Sequence, residues 1–459
     1  VTPPRWVACV DTGSTFTKAA AVSIGGPDAG RLLATAAVPT TVGPGLDVLT
    51  GLDDAVAALV AEAGGEPAEI RACSSAGGGL RLAVVGHERV VTAEAGARVG
   101  LSAGAKVVHV SSGRLDRAGL DALAAARPDV LLLVGGTDGG DAEVLLHNAA
   151  RLASSGPRVP IVLAGNVDAR DDAVALLHAR RRTVVACANV LPRIGVLDPL
   201  PARGAIRDVF VRHVIGGKGL TRGPRFARLV RGATPDLVLA GVELLADSGT
   251  GDVLLVDVGG ATTDVYSALT PDAEESELHR EVVEVMWRGR TVEGDLGMRW
   301  SATGVVDAAR SERLVAADDV EALAVEAHRR HDDPGWLPQD DHDRRTDALL
   351  ARLALTTALR RHARPAESAE GRTPGRDLSH VSLVIASGGV FRHADDEQLD
   401  AMLAPVTGDH AGGWRVPASP RITVDRRYVV AAAGLLAPDH ADAAVALLQH
   451  ALVEAAPLG

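Results

Sequence analysis

A chain of 459 residues, 47% of them apolar, is too long for one ordinary core and supplies material for two or three packed lobes. Its formal charge is −12 with no basic run, so no nucleic-acid-binding face is expected. It shows no signal peptide and no apolar run of membrane-spanning length, so no membrane partner is expected either.

Aromatic residues make up only 2%, which leaves the cores to Ala, Val and Leu. The three cysteines, Cys9, Cys73 and Cys187, lie far apart in apolar strand-like settings without C-x-x-C spacing. They read as reduced, buried thiols of a cytoplasmic protein rather than as a zinc or iron–sulfur site. Only Lys18, Lys106 and Lys218 among the 47 basic residues are lysine.

Trp6–Val10, Ala19–Ile24 and Arg31–Val38 read as three consecutive strands. A helix over about Asp47–Ala63 follows and stops at Gly64-Gly65; Ile70–Ser74 is the next strand, entering the loop Ala76-Gly77-Gly78-Gly79. From Lys106 to Val190 the rhythm is regular. Strands Val107–Val110, Val130–Val134, Pro160–Ala164 and Thr183–Ala188 alternate with helical stretches rich in Ala and Leu. Continuous apolar strands separated by helices imply a parallel sheet covered on both faces. The loops Gly135-Gly136-Thr137-Asp138-Gly139-Gly140-Asp141 and Gly165-Asn166-Val167-Asp168 fall at strand carboxyl ends, where open α/β sheets place ligands. Gly, Asn and Asp are equally what strand-to-helix turns use.

A helical stretch, Ala202–Val214, leads through Gly216-Gly217-Lys218-Gly219 toward the middle of the chain. His328, His331, His342 and His362 sit in a charged segment, Arg329–Ala366, whose irregular spacing reads as polar surface rather than a metal site; residues 363–378 read as an exposed loop. Val381–Ala386 is an apolar strand running into Ser387-Gly388-Gly389-Val390, a turn that lets a base or ribose approach the backbone. The run Tyr428–Leu436 is rich in small residues and suited to close packing.

One phrase occurs twice. It reads Val10-Asp11-Thr12-Gly13-Ser14-Thr15-Phe16-Thr17-Lys18 near the N-terminus and Val256-Asp257-Val258-Gly259-Gly260-Ala261-Thr262-Thr263-Asp264 in the middle. Each copy is an apolar strand ending in Asp, a small-residue turn with hydroxyls, and a return strand (Ala19–Ile24; Val265–Leu269). Such a turn lets backbone N–H groups approach phosphate oxygens, and Ser or Thr hydroxyls add donors. The aspartates repel phosphate but can hold Mg²⁺ or its water shell, which bridges to phosphate. Lys18 can meet a phosphate as a point charge or stand as a solvated strand residue. Two such hairpins facing each other would clamp a nucleoside triphosphate with its Mg²⁺, Asp11 and Asp257 lying at the metal. Asp264 or Glu293 would orient the attacking water, a structural hydrogen bond being the alternative for either.

Two Asp hairpins followed by a late strand–Gly-Gly–helix resemble the order in the actin, sugar-kinase and Hsp70 superfamily. The match sharpens at Cys73-Ser74-Ser75-Ala76-Gly77-Gly78-Gly79-Leu80, Leu133-Val134-Gly135-Gly136-Thr137-Asp138-Gly139-Gly140 and Asn189-Val190-Leu191-Pro192. Together with the second phrase and Glu293-Gly294-Asp295-Leu296-Gly297-Met298-Arg299, these resemble the MutL family associated with glutamate mutase, unrelated to the mismatch-repair proteins of that name. The resemblance runs over nearly the whole chain.

It implies a two-lobed, ribonuclease-H-like α/β ATPase fold with an additional α/β segment in the first half. The expected division is a first lobe at 1–104, the added segment at 105–200, connecting helices at 201–250, a second lobe at 251–424 and C-terminal helices at 425–459 packing back on the lobes. It further implies a chaperone-type ATPase that reactivates an adenosylcobalamin-dependent mutase, by analogy with diol-dehydratase reactivases; a homo-oligomer is compatible with this. Carried across, Asp11, Thr12, Gly13, Ser14 and Thr15 form the first phosphate loop, and Gly259, Gly260, Ala261, Thr262 and Thr263 the second. Ser387, Gly388 and Gly389 would approach the nucleoside.

Three other readings share the loops. A small-molecule kinase would need a substrate pocket with its own base, and no sugar-kinase signature beyond the loops is present. An ATP-driven electron donor would need cluster-ligating cysteines, which Cys9, Cys73 and Cys187 do not offer. A nucleotide-binding scaffold without hydrolysis is the third. The absence of a D-x-H-x-x-G phrase disfavours direct cobalamin binding.

Overall fold

The computed structural model describes residues 5–43, 45–76, 79–88, 92–270, 287–364, 366–368, 371–373 and 375–454. Gly77 and Gly78 of the glycine loop lie outside the described residues, as does part of the 363–378 loop. The chain divides into two compact units. The described residues of Val1–Gly241, Pro271–Gly289 and Ala431–Ala444 belong to the first, and those of Val242–Thr270, Arg290–Val430 and Val445–Gly459 to the second.

In the first unit, β1 (Trp6–Thr12), β2 (Phe16–Ser23) and β3 (Leu32–Pro39) form an antiparallel meander. The helix Val48–Ala63 follows, capped by the Asp47 side chain on the Leu49 amide and ended by Gly64 at φ 77°. β4 (Glu69–Ser74) then returns parallel to β1. Next comes an all-parallel sheet of β5 (Leu80–Gly86), β6 (Ala105–Ser112), β7 (Val130–Leu133), β8 (Ile161–Leu163) and β9 (Val184–Ala186), in the order β6-β5-β7-β8-β9. β10 (Val230–Ala233) rejoins the first sheet and completes the order β10-β4-β1-β2-β3.

The parallel sheet begins at Leu80, well before the expected boundary at 105, because β5 pairs with both β6 and β7. Leu82, Val84, Leu132 and Val162 share one core with Trp6, Ala8 and Val10 of β1, while Ala83, Val85, Leu131 and Leu133 pack into a second core on the opposite face. Burial on both faces is why these strands are apolar without alternation.

The second unit repeats the first sheet. β11 (Asp252–Val258) and β12 (Thr263–Ala268) form the hairpin, and β13 (Arg288–Glu293) flanks β12. A two-stranded ribbon, β14 (Ala366–Ser368) with β15 (Gly371–Thr373), precedes β16 (Val381–Ser387) and β17 (Arg421–Val424). The order β13-β12-β11-β16-β17 matches β3-β2-β1-β4-β10 strand for strand, with the fourth and fifth parallel to the first. This duplicated topology is the ribonuclease-H-like α/β arrangement expected from the sequence.

The charged segment corrects its sequence reading. Asp341–Ala363 is one helix, and Leu350, Ala351, Leu353, Ala354, Leu355 and Ala358 are all buried. His328, His331 and His342 are exposed as expected, but His362 is buried, with Nδ1 2.9 Å from Thr291 Oγ1 and Nε2 3.0 Å from Ser267 Oγ. The charges on this helix obscured it, since several point back into ion pairs such as Arg360 with Asp409. Close packing of the C-terminal run occurs at Gly434, where a Cβ would lie 1.9 Å from the Leu237 carbonyl oxygen.

Candidate functional site

Each Asp phrase lies at the carboxyl end of the first strand of its own unit's sheet. In the first, Asp11 stands opposite Lys18 across the hairpin and beside Cys73 on β4. Its Oδ1 accepts the Thr234 hydroxyl at 2.6 Å and the Cys73 thiol at 3.5 Å. The turn is closed by the Gly13 amide donating to the Phe16 carbonyl at 3.1 Å. A Cβ on Gly13 would sit 2.8 Å from that same oxygen, so a side chain would wedge the turn open. Among the described residues, no acceptor takes the amide hydrogens of Ser14 or Thr15, whose side chains are exposed. Thr12 is fully buried and its Oγ1 has no protein partner.

The second hairpin copies this geometry. The Gly259 amide donates to the Thr262 carbonyl at 2.9 Å, and a Cβ on Gly259 would lie 3.0 Å from that oxygen. The loop carbonyls are occupied from beneath: Met298 N binds Gly259 O, Arg299 N binds Gly260 O and Ser301 Oγ binds Ala261 O. The amides of Gly260 and Ala261 meet no acceptor among the described residues. Unmatched amides over satisfied carbonyls favour an anion, so these loops suit polyphosphate. Asp257 lies opposite Asp264 and beside Ser387. Gly388, at φ 124°, is where β16 passes the end of β11; a Cβ there would fall 2.3 Å from the Val258 carbonyl oxygen. Gly389 is exposed.

The remaining expected residues are engaged differently. Thr263 is fully buried, and its hydroxyl donates to the Leu296 carbonyl at 2.8 Å. It therefore braces the loop from below, not from the side where a ligand would sit. Asp264 accepts Arg290 Nε and Nη2 at 2.9 and 2.6 Å and the Thr262 hydroxyl at 3.0 Å. Glu293 pairs with Arg361 at 2.7 Å; burial pushes its carboxyl up, and Arg361 opposes the shift. Arg361 also holds Asp295. Both carboxylates expected to orient water are thus committed to arginines, and the structural alternative for each has concrete partners.

No local sequence pattern marks Thr234, Cys73, Arg290 or Arg361 as site residues. Cys73 has only its place at a strand end; the others come from distant segments that pairing alone brings in.

Each phrase supplies a carboxylate oxygen of the hard kind that Mg²⁺ prefers, Asp11 in the first unit and Asp257 in the second. Among the described residues, no group of three or more His, Cys, Asp or Glu could hold a metal ion. One or two carboxylates plus substrate phosphates is the usual Mg²⁺ arrangement. The cysteines are unpaired; burial pushes Cys9 up to about 12 and Cys187 up to about 11, as unreactive thiols. Among the described residues, no helix is long and apolar enough to cross a membrane.

A family model described as MutL protein matches residues 7–452. The chain belongs to this family. It is 33% identical over 464 residues to Protein MutL of Clostridium tetanomorphum, covering 97% of this chain and 98% of that one. Solved structures it resembles include nucleotide-free acetone carboxylase (14% identity, TM-score 0.41, 95% of this chain and 70% of that one). Another is the nucleotide-free diol dehydratase-reactivating factor (12% identity, TM-score 0.36, 95% of this chain and 100% of that one).

Proposed function

We propose that this chain binds Mg-ATP through its two Asp hairpins and hydrolyses it, acting as an accessory factor that reactivates an adenosylcobalamin-dependent mutase. The observation that carries the nucleotide reading is the duplicated turn. Two sheets of identical topology each end their first strand in Asp, followed by a glycine-closed loop with unmatched amides. The partner is inferred from the sequence phrases that resemble the MutL family associated with glutamate mutase. A cytoplasmic setting goes with this reading.

In this proposal the amides of Ser14, Thr15, Gly260 and Ala261 receive phosphate oxygens, and Asp11 and Asp257 hold the cation. Bound Mg²⁺ would neutralise charge on the polyphosphate. Thr234 and Cys73 keep the Asp11 carboxylate turned in one direction, and the 296–301 segment keeps the second loop in shape. Gly389, exposed and with no atom within 4 Å of its Cβ position, leaves the backbone open where a nucleoside would lie.

The test has two parts. Asp11→Ala and Asp257→Ala should each abolish Mg-ATP turnover while leaving the urea midpoint close to that of the parent; normal turnover in both would refute the assignment. A pull-down with candidate mutase subunits, with and without Mg-ATP, should then show ATP-dependent recovery of inactivated mutase. Phosphorylation of a metabolite instead would make the chain a kinase.

A further inference from the structure

Arg290 lies on β13, an edge strand, yet is only 7% exposed. An edge arginine ordinarily runs its stem over apolar surface and puts its head in water. Here the guanidinium turns inward over the Tyr266 ring, 5.7 Å from its centroid, and gives both Nε and Nη2 to one oxygen of Asp264. Nη1 is buried with no hydrogen-bond partner. Leaving a buried donor orphaned is unfavourable, and a buried ion pair is weak evidence for stability. Fold stability alone therefore does not account for this placement.

The other oxygen of Asp264 accepts the hydroxyl hydrogen of Thr262 at 3.0 Å. A threonine hydroxyl has one hydrogen and two lone pairs. With its hydrogen committed to Asp264, Thr262 offers only lone pairs to anything that binds on the loop. A phosphate oxygen, also an acceptor, gains nothing from it. A divalent cation, or water in its shell, does.

We infer that Arg290 is a positioning residue: acting through Asp264, it fixes the Thr262 hydroxyl as an acceptor for a divalent cation or its bound water. Polyphosphate is left to the amides of Gly260 and Ala261. The inference deepens the nucleotide-binding reading above and rests on it. It also revises the expectation that the loop hydroxyls add phosphate donors: at Thr262 the polarity is reversed.

The experiment measures ATP affinity of the full chain by calorimetry in EDTA and Mn²⁺ affinity by electron paramagnetic resonance, with and without ATP. Thr262→Val should weaken Mn²⁺ binding about tenfold and change metal-free ATP affinity less than about twofold, with Thr262→Ser near the parent. Arg290→Met should show the same selective loss, and Arg290→Lys, which keeps the charge, should recover part of it. Equal losses with and without cation in Thr262→Val would overturn the inference, because the hydroxyl would then serve phosphate. So would unchanged Mn²⁺ affinity in Thr262→Val, whose side chain is half-buried and not a core anchor. If the parent chain binds no nucleotide, the functional reading fails, and Mn²⁺ binding without nucleotide decides the inference: dependence on Thr262 supports it, and independence or no binding overturns it.

Discussion

Lys18 in the first hairpin occupies the register that Asp264 occupies in the second: Asp11 pairs with Lys18, and Asp257 pairs with Asp264. The two copies share backbone geometry but not charge. The first carries its own cation opposite the aspartate, whereas the second sets two acids side by side and draws a buried arginine from the next strand. The first hairpin is thus biased toward phosphate and the second toward a cation. Lys18→Met should therefore weaken ATP binding measured in EDTA by about tenfold, with Mn²⁺ affinity nearly unchanged. Calorimetry in the two conditions checks this, and a purely cation-linked loss would contradict it.

His362 makes stability depend on pH. Burial, aided by Arg376, pushes its imidazole well below the usual range, so the folded state holds it neutral between Thr291 and Ser267. The folded value lies below the unfolded one, so its contribution is complete above about pH 6.5. It falls by up to about 1.4 kcal/mol per pH unit as the solution becomes more acid. His362→Asn should be less stable than the parent at pH 8, with the gap narrowing steadily toward pH 5. Urea titrations across that range check it; a constant gap would mean the imidazole is not held neutral.

Gly388→Ala should be destabilising. The added methyl would meet the Val258 carbonyl at 2.3 Å and must adopt φ 124°, which L residues rarely do. A loss of about 2–4 kcal/mol is expected from strain plus clash, read as a lowered urea midpoint. Gly389→Ala, with nothing within 4 Å of its Cβ position, is the matched control and should cost under about 1 kcal/mol.

Much of the architecture can be read along the chain because it is local. Apolar runs ending in Asp, a turn of small residues and a return strand specify each hairpin by themselves. The Asp47 cap and Gly64 stop bound their helix in the same way. The unalternating strands of the parallel sheet announce burial on both faces. What stayed hidden belongs to short or polar pieces. β10, β13 and β17 have four to six residues, with Arg or Gly among them, and become strands only because a neighbour offers its backbone edge. The helix Asp341–Ala363 looked like solvated surface because its arginines and aspartates find partners inside the fold.

Local order in the chain determined the two Asp turns, their glycines and the family. Tertiary packing alone decided the polarity of each turn. A hydroxyl or carboxylate acts as donor, acceptor or counter-ion only according to what faces it. Thr234 reaches Asp11 across 223 positions of sequence and Arg290 reaches Asp264 across 26, separations over which no local pattern carries information.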